Sequence, residues 1–330
     1  RRVVQMHWGG GTPNYLKNEQ VERVLAMFRE HFTIAPGAEV ALEIDPRIAT
    51  PDQTAFLKEA GFNRISLGVQ DFDPRTQKAI GRMQGRDKTL KIYHSCRDAG
   101  FEGVNLDLVY GLPGQTVESF TDTLTGIIEL QPDRVACFSY AHVPWVRPNQ
   151  ELVDTKIMLT GYDNFQLFML TVDKFKEGDY SWIGIDHFAK KNDELSVALE
   201  NRALHRNFMG YATKPAPHML AFGMSGIGDV CDRFVQNNAD FGGWSEGIDT
   251  GGRGRGLRHH HDGRATVGNL RRVPCGDRAI VDERRAQLAE AVGSRAGPDA
   301  LVVFDQDRIA LALRDGDRCD LFGQHAVLGD

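Results

Sequence analysis

The chain has 330 residues, enough for one large domain or two ordinary ones, and its 41% hydrophobic and 25% charged residues are those of a soluble globular protein. A formal net charge of −6 excludes an overall basic nucleic-acid-binding surface, and no apolar run reaches the roughly 18 residues a membrane span needs. The first residues, Arg1 to Trp8, lack the apolar run of a secretory signal. They open inside a strand pattern and without an initiator Met, which predicts the loss of a preceding segment. The five cysteines, Cys96, Cys137, Cys231, Cys275 and Cys319, are scattered and form no CxxC or CxxxCxxC spacing. They predict reduced, structural thiols in a cytoplasmic protein and supply no metal site.

In chain order, residues 3–8 read as a strand, followed by a glycine turn and a helix over 17–31. Strands at 40–44, 64–69, 104–109 and 135–140 alternate with helical patterns at 51–60, 74–80, 87–99 and 117–130. This rhythm predicts βαβ units and a parallel sheet, an α/β fold. A Pro-rich polar linker over 143–154 leads to a helix at 164–176, a short strand at 182–185 and a helical pattern at 194–204. Residues 241–256 form a glycine-rich tract unable to bury a core, and His259, His260 and His261 follow it. Successive residues point in different directions, so three adjacent histidines do not close a metal site. A helix is expected over 282–292, and strands at 300–304 and 308–313 form a hairpin.

Polar and special residues cluster just after the strands: Gly9 to Pro13, Asp45-Pro46, Gln70-Asp71, Tyr110 to Pro113 and Ala141-His142. Strand C-terminal ends carry the working loops of β/α barrels, so these ends predict one concave face. A doubly wound open sheet is the competing architecture. Three successive glycines let the backbone approach a ligand closely. Glu43 and Asp107 at strand ends, with Gln70 and with Arg82 in the helical region beyond it, make a polar ligand site; taken singly, each fits a cap or a surface ion pair as well. His187 and His205 are expected to be structural or substrate-pocket residues. Arg206 suits a carboxylate, by its planar fork, or a structural salt bridge.

The segments His7-Trp8-Gly9-Gly10-Gly11-Thr12-Pro13, Glu43 to Arg47, Asn63 to Phe72, Asn105 to Pro113 and Tyr140-Ala141-His142 resemble oxygen-independent coproporphyrinogen III oxidases in order and spacing. So do Gly184 to Ala189, Leu204 to Phe208, Gly210 to Thr213 and Gln236-Asn237. The resemblance spans residues 1–240. It implies a radical S-adenosylmethionine (SAM) enzyme with a partial (β/α) barrel over 1–145, here without its first strand. It further implies a smaller mixed α+β C-terminal domain beginning at 146–240, with a divergent Gly/Arg-rich segment at 241–281 and a remnant of that domain at 282–330. The implied reaction is oxidative decarboxylation of two propionates of coproporphyrinogen III to vinyl groups in haem biosynthesis, giving protoporphyrinogen IX. It uses a [4Fe–4S] cluster, two SAM molecules, and an electron donor and acceptor, with no nucleic acid or membrane as partner. Carried over by position, Gly10, Gly11, Thr12, Glu43, Gln70, Arg82, Asp107, Ala141 and Ile227 bind SAM; no residue is assigned to catalysis.

The sequence also departs from the family. The CxxxCxxC cluster motif is absent, so this chain by itself is expected to be inactive. The missing strand is expected to leave an unpaired sheet edge and a poorly soluble chain. The composition of 241–281 fits GC-rich codons read out of frame, with a diverged insert as the alternative. Two other functions stay open: a radical-SAM-like haem chaperone, and a non-catalytic binding protein that has shed its cluster.

Overall fold

The computed structural model describes residues 2–145, 147–207, 209–216, 218–230, 234–249, 255–256 and 299–306. In chain order the elements are β1 (Arg2–Gly10), α1 (Asn18–His31), β2 (Thr33–Ile44), α2 (Pro51–Glu59), β3 (Arg64–Gln70), α3 (Pro74–Ala79) and α4 (Arg86–Asp98). There follow β4 (Gly103–Tyr110), α5 (Val117–Leu130), β5 (Arg134–Ser139), α6 (Gly161–Glu177), β6 (Tyr180–Gly184), β7 (His187–Lys190), α7 (Glu194–Glu200), β8 (His205–Asn207) and β9 (Gly210–Ala212). The last are β10 (Met219–Phe222), β11 (Ile227–Asp229), β12 (Phe234–Gln236), α8 (Phe241–Asp249), β13 (Arg255–Gly256) and β14 (Asp299–Gln306). By contacts the chain divides into a unit of Arg1–Val40 with Pro215–Asp330 and a unit of Ala41–Lys214.

In the Ala41–Lys214 unit, the end of β2 and then β3, β4 and β5 lie side by side in sequence order and parallel. β7 and β6 extend the sheet antiparallel. The parallel order never reverses, so right-handed crossovers lay their helices on one face. That is the order of a β/α barrel wall; a doubly wound sheet reverses at a switch point. Local chemistry sets the helix starts. Thr50 caps α2 ahead of Pro51, Asp73 caps α3 ahead of Pro74, and Thr116 accepts from the Ser119 amide at the start of α5. Phe120, Leu124 and Ile127 then form the buried stripe of α5.

Each strand alternates. Ile65, Leu67 and Val69 of β3, Leu106 and Leu108 of β4, and Val135 and Cys137 of β5 are fully buried. Their face is the helix side: the Cys137 thiol meets the Thr171 hydroxyl of α6, and Phe188 of β7 stacks on Phe175 of the same helix. Arg64, Ser66, Gly68, Asn105 and Asp107 occupy the alternate positions and so line the other face. At its lower end, where the strands begin, the Arg134 Nε donates to both oxygens of Asp193 at 3.0 Å, and its Nη2 donates to Glu194 at 2.8 Å. Arg64 Nη1 donates to Asn105 Oδ1 at 3.2 Å, which joins β3 and β4 to this cluster. Charges so paired at strand N-terminal ends serve stability.

In the other unit, α1 buries Val21, Leu25 and Phe28 at helical spacing, and β1 buries Val3, Met6 and Trp8. β14 lies parallel between β1 and β10, while β10 to β13 form an antiparallel run. Two expectations change here, and a third lies partly outside the described residues. β1 does not present an unpaired edge, because β14 pairs along it from Arg2↔Asp299 to Gly10↔Gln306 and supplies its backbone partners. Residues 300–304 are part of that parallel strand; the second strand of the expected hairpin, 308–313, lies outside the described residues. The tract from Phe241 is not irregular throughout, since α8 forms despite Gly242, Gly243 and Gly247. Asp240 starts it: its side chain accepts from the Gly243 amide at 2.8 Å, and its carbonyl accepts from Trp244. His259 to His261, the helix at 282–292, and Cys231, Cys275 and Cys319 lie outside the described residues.

Candidate functional site

The polar face of the Ala41–Lys214 unit gathers four of the expected site residues near strand C-terminal ends. Glu43 projects from β2 between the core residues Leu42 and Ile44 and pairs in register with Ser66. Gly68 pairs with Asp107, and Asp107 with Ala136. The Ser66 hydroxyl donates to Asp107 Oδ1 at 2.9 Å, which ties adjacent strands together across the face. Gln70 ends β3 with φ +66°, a left-handed conformation that side chains rarely adopt. Gly68 leaves the space this needs. A Cβ there would lie 2.9 Å from Gln70 Nε2 and 3.3 Å from Arg82 Nη2, so both side chains fold over the glycine.

Arg82 enters from the loop after α3. Its Nη2 donates to the Gly68 carbonyl at 3.1 Å and stands 3.4 Å from Asp45 Oδ2. Its Nε is buried with no hydrogen-bond partner among the described residues. Burial lowers the Arg82 pKa, against the opposing charges of Asp45 and Asp107. Burial also pushes the Asp45 carboxyl up, but the Arg47 side chain and the charge of Arg82 outweigh this and hold it below the usual range. Arg47 grips Asp45 through both Nε (3.0 Å) and Nη2 (2.8 Å).

Beneath this face Asp71, fully buried, braces the loops. Its side chain accepts from Gln115 Nε2 (2.6 Å), the Thr123 hydroxyl (2.6 Å) and the Asp73 amide (2.9 Å). Gln115 Oε1 in turn accepts from the Gly111 and Leu112 amides. Asp71 thus joins the end of β3, carrying Gln70, to the Gly111-Leu112-Pro113 turn after β4. Ala141 lies just past β5, its carbonyl accepting from Gln150 Nε2 at 3.0 Å.

Gly10, Gly11, Thr12 and Ile227 belong to the other unit. β1 runs to Gly10 (φ +92°), and Thr12 precedes a single turn in which the Tyr15 amide donates to its carbonyl. Ile227 opens β11 opposite Gln236. The turn before it is shaped by Gln236 and Asn237, whose side-chain amides donate to Ser225 and Gly223 carbonyls.

Asp45 and Asp71 stood among the polar residues expected at strand ends but were given no role, and Ser66 was missed. Asp45 and Ser66 stood in quoted segments, and period-2 spacing from Glu43 and Gly68 was a signal for both. Its position after β3 marks Asp71, but nothing local gives its bracing role, because its partners Gln115 and Thr123 lie some forty to fifty residues away.

The donor set suits SAM: paired carboxylates for ammonium and ribose hydroxyl groups, a guanidinium and an amide, around a glycine a Cβ would obstruct. It does not suit a cluster. Among the described residues no group of three or more His, Cys, Asp or Glu stands together to hold a metal. The free Cys96 and Cys137 are buried, which pushes both thiols up to about 12. No helix among the described residues is long and apolar enough to cross a membrane.

The pattern of the radical SAM superfamily matches residues 1–125. The oxygen-independent coproporphyrinogen III oxidase of Bradyrhizobium diazoefficiens is 37% identical over 324 residues, covering 94% of this chain and 72% of the relative. The chain belongs to the oxygen-independent coproporphyrinogen III oxidase family. The Synechocystis oxidase is 40% identical over 72% of this chain and 51% of its own length. The solved Escherichia coli coproporphyrinogen III oxidase, a radical SAM enzyme, superposes with a TM-score of 0.76 at 37% identity, over 79% of this chain and 60% of its own. This chain therefore has the radical SAM fold of an oxidoreductase family. It spans about half to three-quarters of the lengths of these relatives.

Proposed function

We propose that this chain binds SAM and coproporphyrinogen III in the oxidative decarboxylation of two propionates to vinyl groups. The observation that carries the reading is the row Glu43–Ser66 and Gly68–Asp107–Ala136, with Arg82 laid over Gly68 and Gln70 held beside it. SAM, held by these residues, would supply the hydrogen-abstracting chemistry together with a [4Fe–4S] cluster, for which the described residues offer no ligand set; the electron released with carbon dioxide would pass to the acceptor. The residues of this chain bind and orient. Glu43 and Asp107 accept hydrogen bonds from amino and hydroxyl groups, while Arg82 and Gln70 donate. The loops braced by Asp71 keep these groups in place. The family resemblance also assigns Gly10, Gly11, Thr12, Ala141 and Ile227 to SAM, and it implies two SAM molecules. The protein acts in haem biosynthesis, in the cytoplasm, with an electron donor and an acceptor.

Calorimetric titration of the purified chain with SAM tests the reading. Binding is expected, with Asp107→Asn and Arg82→Leu each weakening it about tenfold or more, the loss of one charge-assisted hydrogen bond. Absence of SAM binding, or binding indifferent to both substitutions, overturns it.

A further inference from the structure

Beyond the row containing Asp107, the same sheet face carries aromatic groups that the SAM reading does not use. Ala136 of β5 pairs with His187 of β7, so Asp107, Ala136 and His187 stand in one row across three strands. Two strand spacings separate Asp107 from His187, about 10 Å. Phe138, two residues beyond Ala136, faces the same way and is 40% exposed. Its ring meets His187 edge to face at 6.1 Å between centroids, and His187 meets Tyr211 at 5.4 Å in the same manner. The Arg206 guanidinium caps this run, 5.8 Å above the Tyr211 ring. Arg206 is exposed and has no carboxylate partner among the described residues. One end of the run is therefore an unneutralised planar cation.

The β6–β7 turn is built at a cost to hold this arrangement. Ile185 takes φ +46°, a region in which a β-branched side chain is strained by roughly 1–3 kcal/mol, and it is 54% exposed. The Cys137 amide fixes the turn by donating to the Asp186 carbonyl at 2.8 Å. Gly184, at φ +150°, lets the Tyr211 ring close over the turn, since a Cβ there would lie 2.3 Å from the Tyr211 hydroxyl. The Asp186 carboxylate lies 2.6 Å from His187 Nδ1, which fixes the imidazole plane and leaves Nε2 for another partner. Strain held beside the exposed Phe138 ring, two half-buried rings and a guanidinium with no carboxylate partner among the described residues marks a ligand surface, because stability alone would select a relaxed, polar turn.

We propose that Phe138, His187, Tyr211 and Arg206 form the platform for an amphipathic ring system bearing carboxylate arms, with the rings on the aromatic run and one arm in the fork of Arg206. The inference rests on the proposed function, in which the substrate is a tetrapyrrole with propionate arms. It adds where the ring lies: in continuity with the Asp107 row, two strands from the groups assigned to SAM. Charge selects the occupant, since a neutral apolar partner leaves the Arg206 guanidinium unanswered and a phosphate chain leaves the rings unused.

The test is titration of the full chain with coproporphyrin III, the stable oxidised form of the ring, and with its uncharged tetramethyl ester, followed by porphyrin absorbance. Arg206→Gln is expected to weaken the acid about tenfold and the ester less than about twofold, with partial recovery in Arg206→Lys. Phe138→Ser is expected to weaken both ligands. Tyr162→Ser, an exposed aromatic on α6, is expected to change neither. These positions are exposed, and circular dichroism melts confirm that the variants fold. Porphyrin binding unchanged by Arg206→Gln and Phe138→Ser, or weakened by Tyr162→Ser instead, overturns the platform and leaves the proposed function standing. SAM binding without any porphyrin binding overturns both the platform and the choice of substrate. Absence of SAM binding with the platform pattern intact overturns only the SAM assignment.

Discussion

Thr123→Val removes one hydroxyl from the brace under the candidate site, and the structure gives the size of the effect. The Thr123 hydroxyl donates to Asp71 Oδ1 at 2.6 Å and accepts from the Phe72 amide at 3.2 Å, both in the buried interior. Loss of a hydrogen bond to a charged group costs about 1.5–3 kcal/mol, and a buried amide left without a partner costs about 1–3 kcal/mol. Valine's added apolar burial returns about 0.8 kcal/mol. The expected net loss is about 3 kcal/mol, read as a lower urea midpoint by circular dichroism and as faster hydrogen exchange at the Phe72 amide. The loss also depends on pH. Burial raises the Asp71 pKa, opposed by the Asp73 amide and by the Thr123 and Gln115 side chains. A carboxyl whose folded pKa lies above its unfolded value loses stability as pH rises from the ordinary carboxylate range through the folded pKa. Removing the Thr123 donor lifts the folded pKa further, so the variant's deficit is larger at neutral pH than in acid. A deficit below about 1 kcal/mol, or one equal at about pH 4 and about pH 8, refutes the reasoning.

The remaining predictions concern backbone, charge and thiols. Gly111→Ala places a Cβ 2.4 Å from Asn164 Oδ1 at φ +82°, and is expected to lower stability by at least ~2 kcal/mol in urea titration, with partial recovery in the Asn164→Ala background. Arg134→Leu leaves buried Asp193 with only the more distant Arg64 guanidinium at 4.0 Å and is expected to cost about 3 kcal/mol in urea titration, far more than an exposed pair such as Lys191–Asp179. Cys96 and Cys137, buried and with thiols pushed up to about 12, are expected to resist a thiol reagent at pH ~8 in the native protein and to react once it is unfolded in urea.

The strand–helix alternation of the first 140 residues was legible because each strand is a short apolar run closed by turn chemistry, and each helix carries a cap or a stripe. Thr50-Pro51, Asp73-Pro74 and Thr116 stood where helices begin. Glu43, Gln70 and Asp107 were legible for the same reason, as polar residues at strand ends. Between residues 205 and 236 the strands run three or four residues each, too short for a period of two to register, so β8 to β12 passed unseen. α8 was hidden by its glycines, because its start depends on one side chain, Asp240. β14 was legible as a strand but not in its neighbours: parallel pairing with β1 joins residues nearly three hundred positions apart. Left-handed Ile185 gave no signal, since an isoleucine there reads as ordinary strand.

The alternation within β3 and β4 holds more than strand propensity. Parallel strands covered by helices on both faces read as continuous apolar runs. In β3 the sequence Arg64-Ile65-Ser66-Leu67-Gly68-Val69-Gln70 instead alternates, as does Asn105-Leu106-Asp107-Leu108 in β4. A parallel sheet whose strands alternate has only one face that can bury a hydrophobic core; the other must be answered by water, by its own hydrogen bonds or by a ligand. At the strands' beginnings the answer is internal, in Arg64, Asn105 and Arg134 with Asp193 and Glu194. Toward their ends Ser66 reaches Asp107, Arg82 Nε has no partner among the described residues, and the face passes into the exposed Phe138 ring against His187. The polar face thus changes along one axis from a closed ion network to unfilled donors and aromatic surface, and this gradient points to the strand C-terminal ends as the place where a ligand completes the fold.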